Sequence, residues 1–394
     1  MPLIFAAIAN GKACAAMYQK SMNSLGLYIH IPFCASKCAY CAFDSAPCSD
    51  YQPYVRALVK EIRGKAEGYS KGRILDTVYF GGGTPSLLSK EQFLLIFQEI
   101  KRDFSLSGDC EITVEVNPAS ADFDKLSFLK EQGVNRVSVG LQCANEDILK
   151  ILRRPHGLAQ FAGTAEDVKR AGITNFSADV MIGLPTQKIE DVEQTLSLAV
   201  KSGVSHISCY ALKVERGTPF YRQRASLSLP CDDETADMYD FCLKYLKERG
   251  FGRYEISNFA KEGFACRHNL KYWQSCDYLA AGVSAGGFIS PYRYQNIKNT
   301  EKYIDKISKG EKVSYGAKLS KDELMFEYIM MALRLDSGFD VKDFCARFGG
   351  FEEYYGQKAK ALIEKGFLEK VGDTIRVPKN KSGVLNSVLI ELLF

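Results

Sequence analysis

The chain carries little net charge. Its 51 Lys and Arg stand against 47 Asp and Glu, +4 at neutral pH over 394 residues. So small a surplus leaves no electrostatic footprint for a nucleic-acid partner. Long apolar runs are also missing. The stretch Leu3–Ala9 is apolar but far too short to span a bilayer, and with no basic residue before it, it makes a poor signal peptide. Any membrane association is therefore peripheral. Residues 1–24 are expected to form an extension outside the main fold, with Met17 or Met22 as alternative starts. A phosphate loop is absent: the glycine turn Gly81–Pro85 lacks the Gly-x4-Gly-Lys pattern. The 13 cysteines are an odd number and are scattered, which argues against a disulfide framework and for a reduced, cytoplasmic protein.

What is present begins with three thiols in eight residues, Cys34-Ala-Ser-Lys-Cys38-Ala-Tyr-Cys41, directly after the apolar run Leu25–Phe33. A strand ending in such a loop presents three soft ligands from one segment. Structural zinc sites pair two separated Cys-x2-Cys units, and no second pair lies nearby. Three thiolates leave one metal position open, which suits an iron–sulfur cluster with one free iron.

At 46% apolar and 25% charged, the chain has ample material for a core, and its length suits one large domain plus a smaller one. Strand-like and helix-like runs alternate six times between residues 25 and 212. This pattern predicts an α/β fold, an incomplete (β/α)6 TIM-like barrel with parallel strands inside and helices outside. Side chains alternate along a strand, and the expected strands have one apolar and one polar face. Ile112, Val114 and Val116 oppose Glu111, Thr113 and Glu115; Val137, Val139 and Leu141 oppose Arg136, Ser138 and Gln142; Ala178, Val180 and Ile182 oppose Ser177, Asp179 and Met181. A parallel sheet covered on both sides reads apolar throughout. A polar second face instead predicts a lumen that holds a ligand, with its site at the carboxyl ends of the strands. Residues 213–315 are expected to complete the barrel. Residues 316–394 read as helices followed by a short hairpin, a winged-helix-like domain without a dense basic recognition helix, which points to a structural or partner-binding role rather than nucleic acid.

The spacing Cys-x3-Cys-x2-Cys resembles the radical S-adenosylmethionine (SAM) superfamily. That resemblance implies a [4Fe-4S] cluster held by Cys34, Cys38 and Cys41, with SAM beside it and a one-electron reductant as partner. It makes Gly82, Gly83 and Thr84 contacts of the methionine amino group and Glu115 the acidic SAM contact. Gln142 and Asp179 become contacts of the ribose hydroxyls and Arg154 the partner of the methionine carboxylate, while Tyr28 and Tyr40 line the pocket. Taken singly, each has a blander explanation: Arg153 and Arg154 suit a helix carboxyl end, and Asp179 suits a turn. Their joint occurrence in strand order favours the site. His30 is expected in the lumen, facing SAM.

Over residues 25–394 the motifs Tyr-Ile-His-Ile-Pro-Phe-Cys, Gly-Gly-Gly-Thr-Pro, Tyr-Glu-Ile-Ser-Asn-Phe-Ala and His-Asn-Leu-x-Tyr-Trp resemble the oxygen-independent coproporphyrinogen III dehydrogenase (oxidase-like) superfamily. One of its classes decarboxylates porphyrinogen propionates in porphyrin biosynthesis; the other, the HemW type, comprises heme chaperones that deliver heme to acceptor proteins, including membrane-bound respiratory enzymes. The enzymes carry Cys-x-Phe-Cys-x-Cys and the chaperones Cys-x-Tyr-Cys-x-Phe, so Tyr40 and Phe43 favour the chaperone class. The short segment before Leu25 favours it as well, the decarboxylating enzyme being the alternative. Whether SAM is cleaved is left open. Gly286 stands where relatives usually have a histidine, which leaves His268 as the candidate heme ligand, against the alternative of a packed structural histidine.

Overall fold

The computed structural model describes residues 23–394. Of the expected extension over 1–24 only the last two residues fall within it, and Ser24 already belongs to the first strand. The strands are β1 (Ser24–Ile31), β2 (Ile74–Gly82), β3 (Ser105–Val116), β4 (Arg136–Gln142), β5 (Asn175–Ile182), β6 (His206–Ala211), β7 (Gly252–Glu255), β8 (Asn258–Ala260), β9 (Tyr278–Ala281), β10 (Gly286–Ile289), β11 (Tyr292–Asn296) and β12 (Ser314–Lys318). They form one sheet in the order β12-β11-β10-β9-β1-β2-β3-β4-β5-β6-β8-β7. The run from β1 to β6 is parallel throughout.

The six expected βα units are therefore present, but β1 is not an edge. Strand β9, from the glycine-rich region, pairs parallel with it at Gly26–Ile29 and adds a seventh parallel strand. Strands β10 to β12 continue antiparallel, and β8 covers the other edge antiparallel to β6. Four-residue strands such as β9 and β10, rich in Gly and Ala, carry too little alternation to be picked out by periodicity.

The helices cover the outer, apolar strand faces. Helix Lys90–Asp103 starts with a capping box in which Ser89 and Gln92 satisfy each other's backbone amides, and ends on Lys101 and Arg102 near the carboxyl pole. Its Phe93 and Phe97 meet Phe80 of β2, and Ile96 and Ile100 are buried in the same main core. Ile29, Ile31, Val114, Val137, Val139, Ala178 and Val180 are wholly buried in the same core. The other face of these strands is the polar one, as the alternation predicts.

A second apolar cluster lies beyond residue 320. It is built from helices Lys321–Ala332, Val341–Phe348, Gln357–Glu364 and Leu385–Leu393 with the small sheet of β13 (Phe339–Asp340), β14 (Glu369–Val371) and β15 (Thr374–Arg376). The last helix, Leu385–Leu393, falls after the hairpin, where only a hairpin ending was expected. Leu385, Val388, Leu389 and Leu392 give it a buried stripe. Phe344 is fully buried at the centre of this cluster, with Phe348, Phe351 and Tyr328 at ring distances of 5.1, 5.3 and 5.9 Å. Phe344→Ala removes the ring that these three share and is expected to cost about 3–5 kcal/mol. Urea unfolding of the full chain followed by tyrosine fluorescence should place its midpoint clearly below wild type, and an unchanged midpoint would refute the assignment of Phe344 to this core.

Candidate functional site

Strand register decides what meets at the carboxyl ends. Ile31 of β1 lies opposite Gly82 of β2. The chain then crosses over itself: the Gly83 amide donates to the Ile31 carbonyl at 2.8 Å and the Thr84 amide to the Phe33 carbonyl at 2.7 Å. The glycine turn is thus docked under the start of the cysteine loop. A Cβ on Gly83 would stand 2.5 Å from the Phe33 carbonyl oxygen and 2.9 Å from that of Ile31. Gly82, at φ 109°, has its missing Cβ against the His30 ring. These two glycines serve the close approach of two loops.

The cysteine loop is tied at several further points. Ala46 donates to the Pro32 carbonyl and Cys34 to the Ala46 carbonyl, while Ala39 donates to Leu152 and Phe220 to Ala39. His30, expected to face the ligand, lies behind the loop and holds it: its Nε2 is 3.2 Å from the Asp44 carbonyl. A carbonyl only accepts, so Nε2 carries the proton, and Nδ1 accepts from the Tyr28 hydroxyl at 3.0 Å. The ring is buried, and burial lowers its pKa against the opposing pull of Asp44.

Cys34, Cys38 and Cys41 are free thiols at the rim of a cavity of about 540 Å³. Tyr28, Tyr40, Gly82, Gly83, Thr84, Glu115, Gln142, Arg154, Asp179 and His268 line the same cavity. The residues that the resemblance assigns to the cluster and to SAM are thus gathered in one place, with His268 among them, whereas His30 does not line the cavity. The Thr84 hydroxyl lies 3.6 Å from the Cys34 sulfur and the Arg154 Nη1 3.5 Å from that of Cys38. Burial pushes the Cys41 thiol up, opposed by the Phe43 amide and reinforced by the two neighbouring thiols.

Arg154 reaches the lumen through backbone geometry. Helix Glu146–Ile151 ends at Leu152, and Arg153 then adopts a left-handed φ of 57°. This turns the next residue back toward the barrel. Arg153 stays exposed, as a helix-end arginine would, while Arg154 enters the cavity and donates to the Gly140 carbonyl at 3.3 Å. The Tyr40 ring, its pKa raised chiefly by burial, lies beside it. Gln142 is also left-handed, at φ 66°, where the β4–β5 ladder slips between Gly140 and Gln142. Such bulges re-aim side chains next to sites.

The carboxylates sit deeper. Glu115 accepts from the Tyr79 hydroxyl at 2.9 Å and the Gly82 amide at 3.2 Å. Burial, then the nearby Asp179 charge, pushes its pKa up to about 7 despite those bonds. Asp179 accepts from Ser138 at 3.0 Å, and burial raises it too. Two carboxylates that resist ionisation favour a ligand bringing cationic or hydroxyl donors. Three thiols at the mouth, a guanidinium, and two carboxylates below them suit a cluster with SAM beside it. Among the described residues no three His, Cys, Asp or Glu side chains converge as ligands of one ion; a cubane cluster instead takes each thiolate on a different iron.

His268 has no ring nitrogen to offer. Nδ1 is 2.8 Å from the Thr77 hydroxyl and Nε2 2.9 Å from that of Tyr272. The residue is wholly buried, and burial, with Lys271 and Arg136 nearby, lowers its pKa to about 3. This is a packed, hydrogen-bonded histidine, and an iron would first have to displace one of those bonds. Gly286 opens β10 on the exposed surface, and the nearest atom to a Cβ there is the Tyr294 carbonyl oxygen at 3.7 Å. Sequence reasoning assigned no role to Tyr79, Arg136, Ser138, Ser208 and Tyr210, which also line the cavity; strand alternation carries the signal for all five. It carries none for Asn269 and Tyr272, which reach in from helix Arg267–Trp273.

Two outcomes test this site. Gly83→Ala should fold, by circular dichroism, yet retain little iron after anaerobic reconstitution, because backbone rather than side chain blocks the added methyl; full iron content would contradict the docking described. Glu115→Gln tests the electrostatics, its amide oxygen accepting from Gly82 and its NH2 donating to Tyr79. A raised carboxyl pKa favours the fold below the unfolded value of 4.5 and loses that advantage as pH rises through about 7. Without ligand, Glu115→Gln should therefore melt above wild type at about pH 8, with the gain shrinking as pH falls and gone below 4.5.

Residues 28–199 match the family model for the radical SAM superfamily, and residues 319–380 that for the HemN C-terminal domain. The heme chaperone HemW of Buchnera aphidicola subsp. Schizaphis graminum is 36% identical over 371 residues, covering 93% of this chain and 97% of that protein. The heme chaperone HemW of Bacillus subtilis is 35% identical, over 86% of this chain and 92% of its own. That of Escherichia coli is 31% identical, over 93% and 97%. Among solved structures the fold is similar to coproporphyrinogen III oxidase (HemN) from Escherichia coli, a radical SAM enzyme, with a TM-score of 0.83 and 22% identity over 96% of this chain and 93% of that one.

Proposed function

The chain belongs to the HemW family within the radical SAM superfamily, and from that premise we propose that it is a heme chaperone, binding heme and delivering it to heme-requiring acceptor proteins. The observation that carries this reading is identity of 31–36% to proteins of that name along nearly the whole of both chains. Likeness to the decarboxylating enzyme is one of fold, at 22% identity. In the cysteine loop, Tyr40 packs beside Arg154 and Phe43 stands 66% exposed at the mouth. That exposure favours a surface that meets a flat apolar cargo.

We assign Cys34, Cys38 and Cys41 to a [4Fe-4S] cluster, and Gly82, Gly83, Thr84, Glu115, Gln142, Arg154 and Asp179 to SAM. When bound, the cluster and SAM would supply one-electron chemistry at the sulfonium. The residues themselves bind and orient. Arg154 offers a guanidinium to a carboxylate at the mouth, Glu115 is an acceptor for an ammonium beside the Gly82 amide, and Asp179 is an acceptor for paired hydroxyls. Acceptor proteins embedded in membranes would be met from the surface, since no helix among the described residues is long and apolar enough to cross one.

Anaerobic reconstitution followed by two assays tests the proposal. Heme should bind stoichiometrically and pass to an apo-hemoprotein, and coproporphyrinogen III should not be decarboxylated. Turnover to protoporphyrinogen without stable heme binding would overturn it. Cys38→Ser should fail to assemble the full cluster; a complete cluster spectrum in that variant would remove Cys38 from the ligand set.

A further inference from the structure

The cavity does not end at the SAM contacts. Arg136 begins β4 and Gln142 ends it, so the two stand about 20 Å apart along the strand at ~3.3 Å per residue. Both line the same cavity. Arg136 is 1% exposed, and its Nε and Nη1 have no hydrogen-bond partner among the described residues. A buried guanidinium so placed demands an explanation, because leaving charged donors unmade is costly.

Its neighbours do not take those protons. Register puts Thr113 on one side and Asn175 on the other; the Thr113 hydroxyl and the Asn175 side-chain oxygen are themselves buried and unpartnered. The nearby carboxylates hold other donors, and Glu111 acts on the guanidinium through its charge without a hydrogen bond. Glu111 accepts from the Arg267 and His268 amides, Glu115 from Tyr79 and Gly82, and Asp179 from Ser138. Beside this row Tyr28, Tyr79 and His268 stack on one another, with ring planes 26–29° apart and centroids 5.3–6.4 Å apart.

We propose that the floor of the lumen is a second ligand subsite, in which Arg136 receives a carboxylate of the cargo. This rests on the heme-chaperone reading, and the cargo carboxylate is then a heme propionate. A guanidinium fork matches a carboxylate in shape and charge. Depth separates this subsite from the carboxylate partner at the mouth, Arg154.

The test is a cycle on the full reconstituted protein: absorption titrations with hemin and with hemin dimethyl ester, for wild type, Arg136→Gln and Arg136→Lys. Esterification should weaken wild-type binding on the order of ten- to a hundredfold, Arg136→Gln should weaken hemin binding equally, and the ester should then lose nothing more. Arg136→Lys keeps the charge without the fork and should fall between, which also serves if the glutamine variant does not fold. Equal wild-type affinity for acid and ester, or an undiminished ester penalty in either variant, would overturn the subsite while the chaperone reading stands. Failure of wild type to bind either compound would overturn both.

Discussion

The amide of Gly83 bonded to the carbonyl of Ile31, with that of Thr84 bonded to Phe33, joins the two loops on which the site depends. These are backbone bonds, so no side chain can substitute for them. They extend the β1–β2 ladder past the last strand residues and turn the glycine loop inward as the cysteine loop turns across it. His30 and Gly82 then share one space, with a ring where a Cβ would be. Because β1 is held between β2 and β9, the base of the cysteine loop sits mid-sheet rather than on an edge. A loop that carries three thiols gains from that support, since side-chain geometry is only as fixed as the backbone behind it.

Below the loops the lumen departs from the usual parallel sheet. Most such barrels fill their centre with branched aliphatic side chains. Here the centre holds Glu115, Asp179, Ser138, Arg136 and Tyr79. The cost is visible in Glu115, which resists ionisation, and in Arg136, whose Nε and Nη1 have no hydrogen-bond partner among the described residues. Unfavourable terms of this kind persist where a ligand relieves them. The mouth and the floor lie at opposite ends of one strand, which lets a single cavity serve more than one bound group.

Much of this was legible in the residue order. The strand faces followed from alternation alone, and the inward set Glu115, Gln142 and Asp179 came with them. The cysteine spacing marked a loop whose three thiols do line the cavity. His268 was harder: one histidine in His-Asn-Leu-Lys-Tyr-Trp reads equally as ligand or as packing, and the two hydroxyls that occupy it come from Thr77, far away in sequence, and Tyr272, one helical turn on. His30 was misplaced because parity gives a face, not a depth. It shares the face of Tyr28 but lies above it, under the loop. Strands β9 to β12 were missed because their short Gly-Ala and Tyr-rich segments carry little period. The helix Leu385–Leu393 was missed because nothing local marks a helix after a wing.

The sequence by itself determined the fold class, the cysteine loop and the polar lumen, since these depend on residue type and spacing over a few positions. Tertiary structure alone decided which polar residues have partners. Arg136 appears in the sequence as one polar residue among several on β4. Only the three-dimensional structure reveals that Thr113 and Asn175, its neighbours in register, leave its Nε and Nη1 without a partner while Glu111, Glu115 and Asp179 accept from other donors. Hydrogen-bond satisfaction is a property of neighbours brought together from distant segments, and no local pattern encodes it.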